Sequence, residues 1–319
     1  MNTTRKICQW IDRVAIHHAA ARMAKPDGRD SHLEEARHLL KNLEFSPAEI
    51  KPAAVEFHGP MKFQFASPHP SAHAANNTVH GRLYRCDDHW RQKPTVLLLH
   101  GWNDSLNHYY YFPRHARRLN RIGISAATLQ LPWQFNRRPR QLGPWGNFLC
   151  ADVLHTVEAT LQAMADIRAF IDWLTLQACP FVGLWGVSMG AWLAGLTLCH
   201  DSRVACAVLT VPVAHLDRLI EEAAFCETIR RALQNQRVDL HKLNLVSSRP
   251  LVAKENILLV EAEHDLFVAK ENVEELWRAW DKPEIWRFRS GHISVLWVPG
   301  LSKRVVRWIA AKAEEHAAK

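Results

Sequence analysis

The run Phe181-Val-Gly-Leu-Trp-Gly-Val-Ser-Met-Gly-Ala-Trp192 constrains this chain more than any other stretch. Within it, Gly186-Val187-Ser188-Met189-Gly190 is a G-x-S-x-G pattern between an apolar run and a helix-like segment. Such a pattern holds a serine on a sharp strand-to-helix turn, with its hydroxyl raised at the end of a sheet. Two positions away on either side, neighbouring backbone crowds in, and glycine meets that need. At ordinary frequencies of Gly and Ser the pattern arises by chance about 0.02 times in a chain of this length.

The surrounding pattern predicts an α/β architecture. Residues 62–65 and 78–84 read as the first antiparallel strands, separated by a Pro/His/Asn-rich loop. Residues 95–99 (Thr-Val-Leu-Leu-Leu) are continuously apolar, as in a strand covered on both faces, and end in His100-Gly101-Trp102. A helix over about 108–121, a strand over 124–131 and an arginine-rich loop over 132–146 follow. From Ala151, residues Leu154, Val157, Leu161, Met164, Ile167, Ile171 and Leu174 mark one face of a long helix leading into the serine strand. Beyond Ser188 the alternation repeats. A helix runs to about 199, a strand over 205–213, a mostly helical stretch over 216–245 and a strand over 257–260. Val273, Leu276, Trp277 and Trp280 give a further helix face, residues 284–288 a last strand, and residues 301–311 a closing helix. Strands and helices alternating at these lengths imply a mostly parallel central sheet with helices on both faces.

With 319 residues, 48% of them hydrophobic, the chain has ample material for a large core. Its seven cysteines are scattered without a C-x-x-C pair, which fits a reduced, cytoplasmic compartment. No run of about 18 apolar residues is present, and the first residues lack the apolar core of a secretory signal, so no stable membrane insertion is expected. The formal charge of +8 is spread along the chain, which predicts a solvated surface and no nucleic-acid partner. Its densest cluster is Arg137, Arg138 and Arg140. Residues 1–60 read as a helical extension packed on a main domain over 61–319. Ile7, Trp10, Ile11 and Val14 mark a helix over about 4–24, and Ser31-x-x-Glu34 is a capping box opening a second helix through residue 43.

A serine is a weak nucleophile until a base takes its proton, and that base must be held in one tautomer by a carboxylate. In chain order the acid and then the histidine should follow the serine, at the carboxyl ends of later strands. Asp265 and His292 meet those conditions. Glu261, Glu263 and Asp217 are rival acids, and His264 between Glu263 and Asp265 would be the only hint of a metal cluster. The amides of Met189 and Trp102 are the candidate oxyanion donors. His100 is expected to support its own loop. Asn103, Asp104, Asn107, Tyr109, Tyr110, Tyr111 and Phe112 would sit beside that loop, as pocket lining or as helix packing.

The combination HGW, GVSMG, EAEHD and SGH resembles the α/β-hydrolase superfamily from about residue 62 onward. The segment from Leu131 through the long helix to GVSMG, and the ending SGHIS, are similar to uncharacterised α/β-hydrolase-domain-containing proteins. The resemblance implies a Ser-His-Asp hydrolase needing no cofactor, with a short helical lid over about 214–250. Serine at the elbow speaks against relatives that carry Asp or Cys there. The expectation is an esterase acting on small-molecule carboxylic esters or thioesters through Ser188, His292 and Asp265. A peptidase or acyltransferase on the same residues, and a non-catalytic protein binding an anionic partner through Arg137, Arg138 and Arg140, are the alternatives.

Overall fold

The structure, a computed structural model, describes residues 3–23, 32–43, 45, 52–233 and 238–318. Helices α1 (Thr3–Ala20) and α2 (Leu33–Lys41) come first, followed by strands β1 (Glu56–His58), β2 (Lys62–Ala66) and β3 (Thr78–Tyr84). Then come β4 (Thr95–Leu99), α3 (Phe112–Asn120), β5 (Ser125–Leu129), α4 (Val153–Leu176), β6 (Val182–Val187), α5 (Met189–His200) and β7 (Val204–Thr210). The chain continues through α6 (Leu216–Glu222), α7 (Glu227–Leu233), β8 (Ile257–Ala262), α8 (Lys270–Ala279), β9 (Glu284–Phe288) and α9 (Leu301–Ala317). The capping box at Ser31 falls outside the described residues.

Among the described residues the strands form one nine-stranded sheet in the order β1-β2-β3-β5-β4-β6-β7-β8-β9. The first three pair antiparallel, as does β3 with β5, and every neighbour from β5 to β9 is parallel. The continuous apolar runs have a direct explanation. Leu97 and Leu99 of β4 point into one core while Val96 and Leu98 point into another, and Leu184 and Trp185 of β6 divide in the same way. Helix α4 joins the first layer, whereas Phe112, Ala116 and Leu119 of α3 pack with Val305 and Ile309 of α9 in the second. A leucine removed from water on such a face contributes about 1.5–3 kcal/mol.

Two expectations need correction. The spacing predicts one apolar face for α4, yet Leu154 and Leu161 are only half-buried while Thr160, Gln162 and Asp166 are buried. The reason is that α4 is enclosed on more than the sheet side: α2 packs over it, and Gln162 and Asp166 are covered by their hydrogen-bond partners Asn76, Ser67 and Arg137. The arginine cluster does not form a solvated patch. Arg137 is completely buried, donating through Nε and Nη2 to the Asn76 carbonyl at 2.9 and 2.7 Å, and through Nη1 to Gln130 O at 2.9 Å and Asp166 Oδ2 at 2.7 Å. Ser67 Oγ donates to the other Asp166 oxygen at 2.6 Å. Arg138 turns back to the Gly143 carbonyl, and Arg140 alone of the three is exposed. The cluster is therefore split between a buried tie and the surface.

Helix α1 also differs from its pattern. Ile7, Trp10 and Val14, three residues that define its apolar periodicity, are 55%, 63% and 40% exposed. The helix packs instead through Cys8, Asp12 and Ala19, one face at steps of four and seven. It touches the short 3₁₀ turns Ala224–Cys226 and Ser294–Trp297. No helix among the described residues is long and apolar enough to cross a membrane.

Candidate active site

Ser188 sits between the end of β6 and the start of α5 with φ 54° and ψ −118°. A non-glycine residue held there stores strain on the order of 1–3 kcal/mol, so its surroundings must over-determine it. They do. Its N–H donates to the Thr210 carbonyl at 2.9 Å, and its own carbonyl accepts from Trp192 N at 3.0 Å. A Cβ at Gly186 would lie 2.3 Å from the Gly190 carbonyl oxygen, and one at Gly190 would lie 2.1 Å from the Leu99 oxygen. Both glycines are thus required by backbone packing against the elbow, and Ser188 itself stays partly exposed.

The ends of β8 and β9 bring two further side chains to this serine. His292 Nε2 lies 2.9 Å from Ser188 Oγ, and His292 Nδ1 lies 2.7 Å from Asp265 Oδ2. A carboxylate only accepts, so Nδ1 carries the proton and Nε2 is free to accept from the serine hydroxyl. Asp265 is fixed through its other oxygen, which accepts from Phe267 N at 2.7 Å and Val268 N at 2.9 Å. Burial pulls the His292 pKa down, but the carboxylates of Asp265, Asp12 and Asp104 outweigh it and hold the imidazole above its ordinary value. The Phe267 ring lies over His292, centroids 4.6 Å apart, and shields it from water.

Met189 is the first residue of α5, where helix geometry leaves the N–H without an intrahelical acceptor. The loop after β4 passes close by, since a Cβ at Gly101 would lie 3.4 Å from Ser188 Cβ. Trp102 follows, its ring stacked on Phe225 with centroids 5.9 Å apart. His100 is buried, accepts from Leu131 N at 3.1 Å through Nε2 and so donates through Nδ1 to the Gly101 carbonyl at 2.8 Å. Burial pushes its pKa down to about 4, which keeps it neutral and structural. Of the residues near that loop, Asp104 caps Asn107 N at 3.0 Å, Phe112 is core, and Tyr109 and Tyr110 are largely exposed.

The rival acids go elsewhere. Asp217 accepts from Asn244 Nδ2 at 2.8 Å, Glu261 lies 3.6 Å from Arg287, and Glu263 faces Arg289.

The arrangement of strands has spatial parallels among solved structures. The Pyrococcus furiosus esterase Pf2001 superposes with a TM-score of 0.54 over 82% of this chain and 98% of its own, at 15% identity. A cold-adapted esterase from an Arctic intertidal metagenomic library gives 0.53 over 81% and 97%, at 19% identity. Est1E from Butyrivibrio proteoclasticus gives 0.51 over 76% and 96%, at 13% identity. This is the α/β-hydrolase fold. In sequence the chain is 28% identical over 265 residues to an uncharacterised protein of Mycobacterium tuberculosis, covering 78% of this chain. It spans 62% of the length of that relative. No family model matches.

One residue at this candidate site was not expected from the sequence. Asp12 of α1 is fully buried and accepts from His292 N at 2.8 Å, Leu266 N at 3.1 Å and Ile293 N at 3.1 Å. The available signal is slight. It is a lone acid in a helix otherwise carrying Arg5, Lys6 and Arg13, set on the face of Cys8 and Ala19.

Proposed function

We propose that the chain is a serine hydrolase of carboxylic esters acting through an acyl-enzyme. The observation that carries this reading is the hydrogen-bonded series Asp265–His292–Ser188, at 2.7 and 2.9 Å, on a strained elbow. Ser188 Oγ attacks the ester carbonyl carbon as its proton passes to His292 Nε2. The carbonyl oxygen becomes an oxyanion, which the Met189 and Trp102 amides would receive. Asp265 stabilises the imidazolium. As the tetrahedral species collapses, the C–O bond to the alcohol breaks and His292 returns its proton to the departing oxygen. Water, deprotonated by the same imidazole, then attacks the acyl-serine, and a second collapse frees the carboxylic acid and regenerates Ser188. Each step conserves protons within Ser188, His292, substrate and the one water consumed, so the chemistry as written calls on no cofactor.

A lid reading for residues 216–245 belongs with this function. Phe225 is buried, stacks on Trp102 and lies 5.5 Å from the Phe267 ring that covers His292. Such a wall beside the oxyanion loop would meet the acyl chain and set its length. The test is a panel of p-nitrophenyl esters of graded chain length, run beside thioesters and peptide anilides, with fluorophosphonate labelling of the wild type. Hydrolysis of the esters with the label on Ser188 is the expected result. Labelling at another residue, or turnover of anilides alone, would sink the assignment.

A further inference from the structure

The base loop of this site is held by a helix from the other end of the chain. The two segments that carry Asp265 and His292 are irregular, lying between β8 and α8 and after β9; the β8/β9 pairing runs on only through Glu263 N to Phe288 O and His264 N to Ser290 O, both at 2.9 Å, and stops short of Asp265 and His292. Three of their amides, those of Leu266, His292 and Ile293, converge on the Asp12 carboxylate. Asp12 Oδ2 takes Leu266 N and His292 N, and Oδ1 takes Ile293 N, so one side chain ties the acid's loop to the base's loop. The approach is close. A Cβ on Gly291 would stand 2.7 Å from Asp12 Oδ2, which explains why glycine precedes His292.

We propose that Asp12 is a positioning residue of the hydrolytic site, inserted by α1 to fix the loops of Asp265 and His292 and to bias the imidazole electrostatically; this rests on the reading of His292 as general base. A buried carboxylate is costly unless paired and hydrogen-bonded, and the acceptor role toward three backbone donors is what meets that requirement here. A neutral side chain of similar size would not do both jobs. The charged groups facing His292 are Asp265 from the β8 loop, Asp104 from the β4 loop and Asp12 from α1. Around Asp12 itself they are His292 and Asp265. Helix α1 is therefore part of the site's machinery, though it touches no substrate.

The experiment compares wild type with Asp12→Asn and with Gly291→Ala, which keeps every charge but crowds the carboxylate out of its seat. For each, kcat and KM on a p-nitrophenyl ester, the pH profile of kcat/KM, the melting temperature, and the NMR titration of the His292 imidazole are measured. Expected for Asp12→Asn is a kcat loss of about 10–100-fold with KM within about threefold. Its acid limb should move to lower pH, because one negative charge facing the imidazole is gone. Gly291→Ala should lose kcat in the same direction. A folded Asp12→Asn with wild-type kcat and an unmoved acid limb would overturn the proposal, as would a change confined to melting temperature. Should the wild type hydrolyse no ester, the functional reading fails by itself, and the His292 titration still decides whether Asp12 acts on the imidazole. Should the variants not fold, hydrogen exchange of the wild type decides. Slow exchange at the Leu266, His292 and Ile293 amides supports the clamp, and exchange at the rate of free loops overturns it.

Discussion

In the proposed reaction Ser188, His292 and Asp265 do different jobs, so their removal should leave different remnants of activity. Ser188→Ala should take up no fluorophosphonate label. His292→Ala, lacking the proton carrier for both half-reactions, should lose on the order of 10³-fold or more in kcat, with folding checked by circular dichroism. Asp265→Asn should cost up to about 10⁴-fold by leaving the imidazole in the wrong tautomer. Asp217→Asn should stay near wild type, because the Asp217 side chain is committed to Asn244 and the backbone of Arg218. The pH dependence has a definite sign. The proposed base would work only when neutral, and nearby carboxylates hold His292 above the ordinary histidine value of 6.5. A stopped assay of kcat/KM should therefore show activity falling as pH drops through a limb above 6.5, with the plateau on the alkaline side. A limb well below that value would mean that the three carboxylates do not govern the imidazole.

The elements with both faces buried were legible because most of their length is chemically uniform: residues 96–99 of β4, 182–187 of β6 and 257–260 of β8 are apolar runs, and each strand is followed by a candidate site residue. Strand β1 gave no such signal, being three residues at the sheet edge with mostly exposed side chains. Helix α1 was legible as a helix, but not the direction it faces, since the residues that make its pattern look outward and a carboxylate looks in. Periodicity assumes that apolar means buried, and a hydrogen-bonded acid on the packed face breaks that assumption. The helix at α3 begins with a π-helical turn over Asn107–Tyr111, which no spacing rule announces. Between β7 and β8, helicity was readable and its purpose was not. If this stretch walls the acyl site, Phe225→Ala should open the face against Trp102 and Phe267 and shift ester preference toward longer or bulkier acyl chains. An unchanged preference in that variant and in Leu219→Ala would leave residues 216–245 as a plain crossover.

Across the molecule, long-range polar ties were beyond sequence reading because they join residues whose neighbours in the chain say nothing of each other. Arg137 is the clearest case: it sits in a basic, turn-like stretch, yet it bridges Asn76, the end of β5 and Asp166 of α4 without touching solvent. Removing one member of a buried pair strands the other, so Arg137→Ala should lower stability by roughly 3–5 kcal/mol in urea unfolding. Replacing Arg137 and Asp166 together with apolar residues should recover much of that loss. The bond from Asp12 to His292 spans 280 positions and bears on how the protein is made. At translation rates of about 5–20 residues per second, the carboxylate leaves the ribosome roughly 15–55 s before the amide it will hold. Over the last 104 positions of that interval Ser188 has already been synthesised, but its hydrogen-bond partner His292 has not. Ribosome-stalled chains ending before His292 should be inert to fluorophosphonate, and those extended by enough residues to clear the exit tunnel should react. On the proposed reading, a nucleophile that is silent until its last loop is made spares a growing chain, and the cell around it, an unregulated hydrolase.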